Sequence, residues 1–105
     1  MAKTIERMET IFYGGGEHFI ITVGKKVYFQ SYRTLIAIVN DGDVTLNRYY
    51  WDCSKTTAAY RNKFLGLTTK ETEKRIASKE IRLRELDSSI LQKLNPDYFW
   101  SISKR

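Results

Sequence analysis

The segment Asn40-Asp41-Gly42-Asp43 stands between the apolar run Leu35–Val39 and the run Val44–Tyr50. Asp-Gly between two such runs is the strongest short-range hairpin signal, because a type I′ turn needs positive φ at both central residues. Two antiparallel neighbours are thereby set, and the preceding sequence extends them. Thr10–Tyr13 runs into Gly14-Gly15-Gly16, a loose turn. Phe19–Val23 meets Gly24-Lys25, which suits a type II′ turn with glycine first, and Lys26–Tyr32 follows. Leu35–Val39 is almost wholly apolar and reads as a strand buried on both faces. The span 27–39 is long for one strand, so a bend is expected near Ser31–Thr34. Residues 10–50 thus read as an antiparallel β-meander.

Texture changes after Trp51: residues 54–94 are rich in Lys, Glu, Arg, Leu and Ala. Ser54 is a good N-cap for a helix over about 55–65, because its hydroxyl can accept an orphan backbone N–H. Gly66 is a natural residue just past its end. Thr68-x-x-Glu71 matches a capping box and opens a second helix. This helix is expected to run to Leu94, where Asn95-Pro96 stops it. Its 26 residues would span about 39 Å. Ile76, Leu83 and Ile90 recur seven apart, with Leu86, Leu91 and Leu94 on the same side, while Ile81 falls off the stripe. The stripe packs on the sheet or, where the helix overhangs it, forms a two-fold seam through Leu83, Leu86 and Ile90. The tail Asp97–Ser103 carries Tyr98, Phe99 and Trp100 in a row, which are expected to fold back on the core or on a partner chain. The expected fold class is α+β: a meander, a short helix, then a long C-terminal helix, in one domain over 1–105.

The chemistry available is sparse. His18 is the sole histidine and Cys53 the sole cysteine. Zinc binding lacks its ligands, an intramolecular disulfide is impossible, and no cofactor is expected. His18 reads as a surface or strand-edge residue and Cys53 as a buried or half-buried structural thiol. A Cys53–His18 nucleophile–base pair would need an orienting acid and an oxyanion hole that the sequence does not supply. Gly24-Lys25-Lys26 lies between two strands and has no glycine five positions earlier, so it is no phosphate-binding loop. Asp41 and Asp43 flank a turn glycine, where local backbone bonding favours Asp. No enzymatic activity is expected.

What remains is charge and aromatic content. Lys and Arg number 18 against 12 Asp and Glu, a formal charge of +6, and aromatic residues make up 13%. The excess is spread along the chain rather than gathered in a basic arm, and it favours anionic partners. Tyr49, Tyr50 and Trp51 end a strand beside Arg48 and Lys55. Such a cluster can stack on bases while neutralising phosphates, or can anchor a protein interface. The expected binding surface is Arg48, Tyr49, Tyr50, Trp51 and Lys55, with Lys25, Lys26 and Arg33 as secondary candidates. No run approaches the roughly 18 apolar residues of a membrane span, and MAKTIERMETIF holds no apolar signal region. A cytoplasmic location and no membrane partner are expected.

Residues Ser31-Tyr32-Arg33-Thr34-Leu35-Ile36-Ala37 resemble a strand motif, Ser-Tyr-x-Thr-x-Ile-Ala, found in small proteins of bacteriophages and mobile elements. Ser54-Lys55-Thr56-Thr57 resembles the Ser-x-Thr-Thr helix start of the same proteins. The resemblance spans residues 28–65, and Leu35 stands where those proteins often have proline. It brings no activity with it. It implies a protein that works by binding, as an inhibitor of a host defence protein or nucleoprotein whose surface it occupies. Two other roles stay open: a nucleic-acid-binding accessory protein, and a self-assembling structural protein built on helix 69–94.

Overall fold

The computed structural model describes residues 7–12 and 17–94, with side chains from His18 to Leu94. Six strands form one sheet in the order β1 (Arg7–Phe12), β2 (Glu17–Val23), β3 (Lys26–Ser31), β4 (Thr34–Asn40), β5 (Asp43–Asn47) and β6 (Ile81–Arg84). The first five are antiparallel neighbours, whereas β6 lies parallel to β5. A parallel neighbour cannot be reached by a hairpin and needs a crossover. Helices α1 (Lys55–Leu65) and α2 (Thr69–Ala77) supply it.

The turns follow their residues. Asp41 (φ +51°) and Gly42 (φ +90°) are both left-handed, as a type I′ turn requires. Gly24 alone is left-handed in the β2–β3 turn. The bend expected near Ser31–Thr34 is a full hairpin turn, with Tyr32 at φ +54°. Ser54 accepts from Thr57 N, and Gly66 closes α1 in the left-handed conformation. The Thr68–Glu71 capping box is complete, and the Thr68 N–H bond holds the Glu71 carboxyl below the usual carboxylate range. The Gly14-Gly15-Gly16 turn and the tail Asp97–Ser103 lie outside the described residues.

The second half corrects the expected fold class. The sheet is mixed rather than an antiparallel meander alone, and residues 69–94 do not form one long helix. Helix α2 stops at Ala77, strand β6 follows, and residues 88–94 form one 3-10 turn (Ser88–Ile90) and the short helix α3 (Leu91–Leu94). Tertiary burial overrides local preference here. Ile81-Arg82-Leu83-Arg84 alternates with period two, and Ile81 is buried while both arginines are exposed. Burying one isoleucine is worth about 1.5–3 kcal/mol. The helical preference of four such residues amounts to about 1–2 kcal/mol at most. The seam expected through Leu83, Leu86 and Ile90 loses its helix. Leu83 packs on the sheet from β6, Leu86 packs on the opposite side, and Ile90 is 38% exposed.

The sheet therefore has a core on each face. On one side Phe29, Ile36, Ala37, Leu46 and Ile81 meet Tyr60, Phe64 and Leu65 of α1 and Ile76 of α2. On the other, Phe19, Ile21, Tyr28 and Leu35 are covered by Leu86, Leu91 and Leu94. A bulge distributes β4 between the two. Phe29 pairs with Ala37 but Gln30 with Leu35, so Ile36 is the extra residue and Leu35 turns to the opposite face.

One guanidinium joins the crossover to the sheet end. Arg61 on α1 is fully buried. It donates to Trp51 O (2.6 Å), Asp52 Oδ1 (3.1 Å), Asn62 Oδ1 (2.8 Å) and Thr69 Oγ1 (3.0 Å), and lies 4.9 Å over the Trp51 ring. The segment after β5, helix α1 and the start of α2 are thus held by one fork of donors. A charge-assisted bond is worth about 1.5–3 kcal/mol, and Asp52, half-exposed, recovers part of its loss in water. Arg61→Met is expected to cost about 2–4 kcal/mol in urea unfolding, and Asp52→Asn less than about 1 kcal/mol. Equal, small losses would show that the fork does not organise this corner.

Candidate functional site

Strand register sorts the charged residues into two ends. Ser31 pairs with Thr34, and Asn47 with Arg84, which places Arg33, Arg48 and Arg84 toward one end of the sheet. Lys26 pairs with Asn40 and Lys25 O accepts from Asp41 N (3.2 Å), so Lys25 and Lys26 stand at the other end, beside a turn that carries Asp41 and Asp43. The expected surface is therefore divided. Lys25 and Lys26 do not join Arg48, while Arg33 shares its end of the sheet.

Asn47 builds the segment that carries Arg48, Tyr49 and Tyr50. It is buried at the end of β5. Its Oδ1 accepts from Tyr49 N (2.9 Å) and Tyr50 N (3.3 Å), and its backbone carbonyl accepts from Trp51 N (2.9 Å). Its Nδ2 donates to Leu35 O (2.8 Å), and Leu35 N donates to Ser88 Oγ (3.0 Å). With the backbone so fixed, Tyr49 and Tyr50 stand 61% and 49% exposed, ring edge to ring face with centroids 6.5 Å apart. Trp51 is half-buried against the helix-side core, and Lys55 is exposed at the start of α1.

Beside β6 runs a shallow groove of about 530 Å³. Lys79 stands before the strand, Arg82 and Arg84 are on it, and Arg48 is fixed against its end by donating its backbone N–H to Arg84 O (2.8 Å). All four line the groove, with Ile76, Ile81 and Leu83 as its apolar part, and no acidic side chain lines it. No ion pair among the described residues engages any of the four cations. Lys79 is held at φ +68°, a conformation in which a side chain costs about 1–2 kcal/mol relative to glycine. Local sequence places Lys79, Arg82 and Arg84 within a helix and so does not mark them as a group. The signals that could have found them are the period-two pattern at 81–84 and the failure of Ile81 to fit the helical stripe.

His18 and Cys53 are placed opposite to expectation. Cys53 is exposed. His18 is fully buried beneath α1, stacked 4.1 Å from the Tyr60 ring and in contact with Phe29 and Tyr32. Neither ring nitrogen has a hydrogen-bond partner, so the two do not form a nucleophile–base pair. Among the described residues, no group of three or more His, Cys, Asp or Glu could hold a metal ion. No helix among them is long and apolar enough to cross a membrane.

The fold is a small mixed sheet with a cationic groove at one edge and an exposed tyrosine pair beside it. Residues 3–81 match a family of unknown function, DUF8033, and the chain belongs to that family. The match ends at Ile81, where β6 begins. No curated protein and no solved structure matches the chain.

Burial pushes the His18 pKa below its ordinary value of 6.5. Below pH 6.5 the unfolded chain takes up a proton there more readily than the folded one, so stability falls with pH until the folded-state pKa is passed. His18→Phe keeps the ring stacking and removes both unpaired nitrogens. In urea unfolding at pH 7.5 and 5.5, the variant is expected to lose less stability on acidification than the wild type. Equal losses would mean that His18 charges without penalty in the fold.

Proposed function

We propose that this protein works by binding rather than catalysis, and that it engages an anionic macromolecule at the basic edge of its sheet. The observation that carries this reading is the groove beside β6, lined along the strand's length by Lys79, Arg82, Arg84 and Arg48 with no acidic side chain among them. Cations in such a groove focus potential and raise the local concentration of an anionic partner. Exposed Tyr49 and Tyr50 adjoin Arg48 and give the same face rigid apolar anchors of the kind that dominate interface energetics. Together with the sequence resemblance to small phage proteins, we take the role to be that of a phage-type inhibitor that occupies the surface of a host defence protein or nucleoprotein.

A nucleic-acid accessory role is the second reading, and the Tyr49–Tyr50 pair beside Arg48 favours it. The two separate by salt. Four phosphate contacts to a single strand give a slope of about −3 in log K against log salt. A protein partner anchored by aromatic residues depends on salt much less.

The test uses charge-matched variants. Arg82→Glu/Arg84→Glu and Lys25→Glu/Lys26→Glu each take the net charge from +6 to +2. With polyglutamate as the probe and unchanged folding confirmed first, the 82/84 pair is expected to weaken binding about tenfold or more, equivalent to about 1.4 kcal/mol. The 25/26 pair should have little effect. Equal losses would mean that net charge alone governs binding and that the groove is not the site.

A further inference from the structure

Among the described residues, strand β6 ends the sheet and has β5 as its one neighbour. The carbonyl of Arg84 is taken on the β5 side by Arg48 N. Backbone groups alternate in direction along a strand, so Arg82 and Arg84 turn theirs toward β5, while Ile81 and Leu83 turn theirs to the open edge. Open edge groups of this kind are a template for another strand. The side chains divide the other way. Arg82 and Arg84 share the face of Thr45 and Asn47, whereas Ile81 and Leu83 share the helix-covered face with Leu46 and Ile76. An added strand would therefore meet arginines on one face and an apolar wall on the other.

Resting on the binding reading above, we infer that the basic groove takes an extended protein segment that adds to β6 as a seventh strand and alternates acidic with apolar residues. Acidic side chains on one face of that segment would meet Arg82 and Arg84, with Arg48 and Lys79 at the two ends. Apolar side chains on its other face would meet Leu83 and Ile76. Main-chain bonds to Leu83 supply affinity that is independent of sequence, and the alternation supplies specificity. A second copy of this chain is a poor occupant, because pairing β6 with itself would crowd four arginines on one seam, with Glu80 and Glu85 lying only beyond the strand's two ends. A nucleic acid would use the cations and leave the outward backbone acceptor groups and the apolar wall unused.

The probe is a capped eight-residue peptide alternating Glu and Val, compared with a peptide of the same composition whose four Glu are grouped together. The alternating peptide is expected to bind about tenfold or more tightly than the grouped one, and to slow amide exchange at Ile81 and Leu83. Leu83→Pro removes the outward N–H and spares the β5 ladder, as proline at an edge can. Leu83→Ala loses the same side chain and keeps the N–H. Binding should fall at least about tenfold further in the proline variant than in the alanine variant. Equal affinity for the two peptides with no new protection at Ile81 and Leu83 would overturn strand addition, as would equal binding by the two Leu83 variants. If Arg82→Glu/Arg84→Glu still abolished binding in that case, the groove would stand as an anion site without strand pairing. Tighter binding of oligothymidylate than of either peptide, insensitive to Leu83→Pro, would assign the groove to nucleic acid instead.

Discussion

The parallel pairing of Ile81–Arg84 with Asp43–Asn47 is the constraint on which the rest of the structure depends. A parallel neighbour forces the intervening chain over the sheet, and this lays α1 and α2 on one face. It cuts short the helix that the local sequence prefers. It returns the chain to the sheet edge, from which residues 86–94 pass to the opposite face and cover the second core. It also leaves a strand with two arginines at the boundary of the sheet. Edge strands invite unwanted pairing, and charge is one of the ways in which proteins guard them. Arg82 and Arg84 can therefore guard the edge against like copies, and in the strand-addition proposal the same electrostatics would select an acidic segment.

Two buried polar side chains give the site its geometry. Asn47 ties the end of β5 to Leu35 and to the turn carrying the tyrosines. Arg61 ties the following segment to α1 and to the start of α2. Their bonds go largely to backbone and neighbouring polar groups at the corner where the meander ends and the crossover begins. A chain of hydroxyls adds to this corner: Ser31 Oγ lies 3.1 Å from Thr57 Oγ1, which accepts from Ser54 Oγ at 3.0 Å. The exposed Tyr49 and Tyr50 are thus carried on a segment whose backbone has little freedom, and a presented aromatic pair binds best when held in this way.

The parts of this fold that were legible in the sequence are those fixed by local chemistry. The Asp41-Gly42 and Gly24 turns, the Ser54 cap, the Gly66 stop and the Thr68–Glu71 capping box each depend on a few adjacent residues with a definite conformational need. What was hidden depends on partners distant in sequence. Ile81-Arg82-Leu83-Arg84 consists of residues at ease in a helix, and only the open edge of β5 turns them into a strand. His18 follows a glycine-rich stretch, which points to a surface or strand-edge residue, and its burial follows from aromatic neighbours on β3 and α1. Of the candidate site, Arg48, Tyr49 and Tyr50 were legible as aromatics interleaved with a cation. Lys79, Arg82 and Arg84 became visible only once β6 was in place.

The most direct test of this account is backbone NMR of the whole chain. It predicts extended carbon shifts for Ile81–Arg84, helical shifts for Thr69–Ala77, and inter-strand proton contacts between Leu46 and Leu83. Amide exchange should be slow at Arg84 and fast at Leu83. Unbroken helical shifts from Thr69 to Leu94, with no contact between Leu46 and Leu83, would contradict it and remove the basic edge together with the strand.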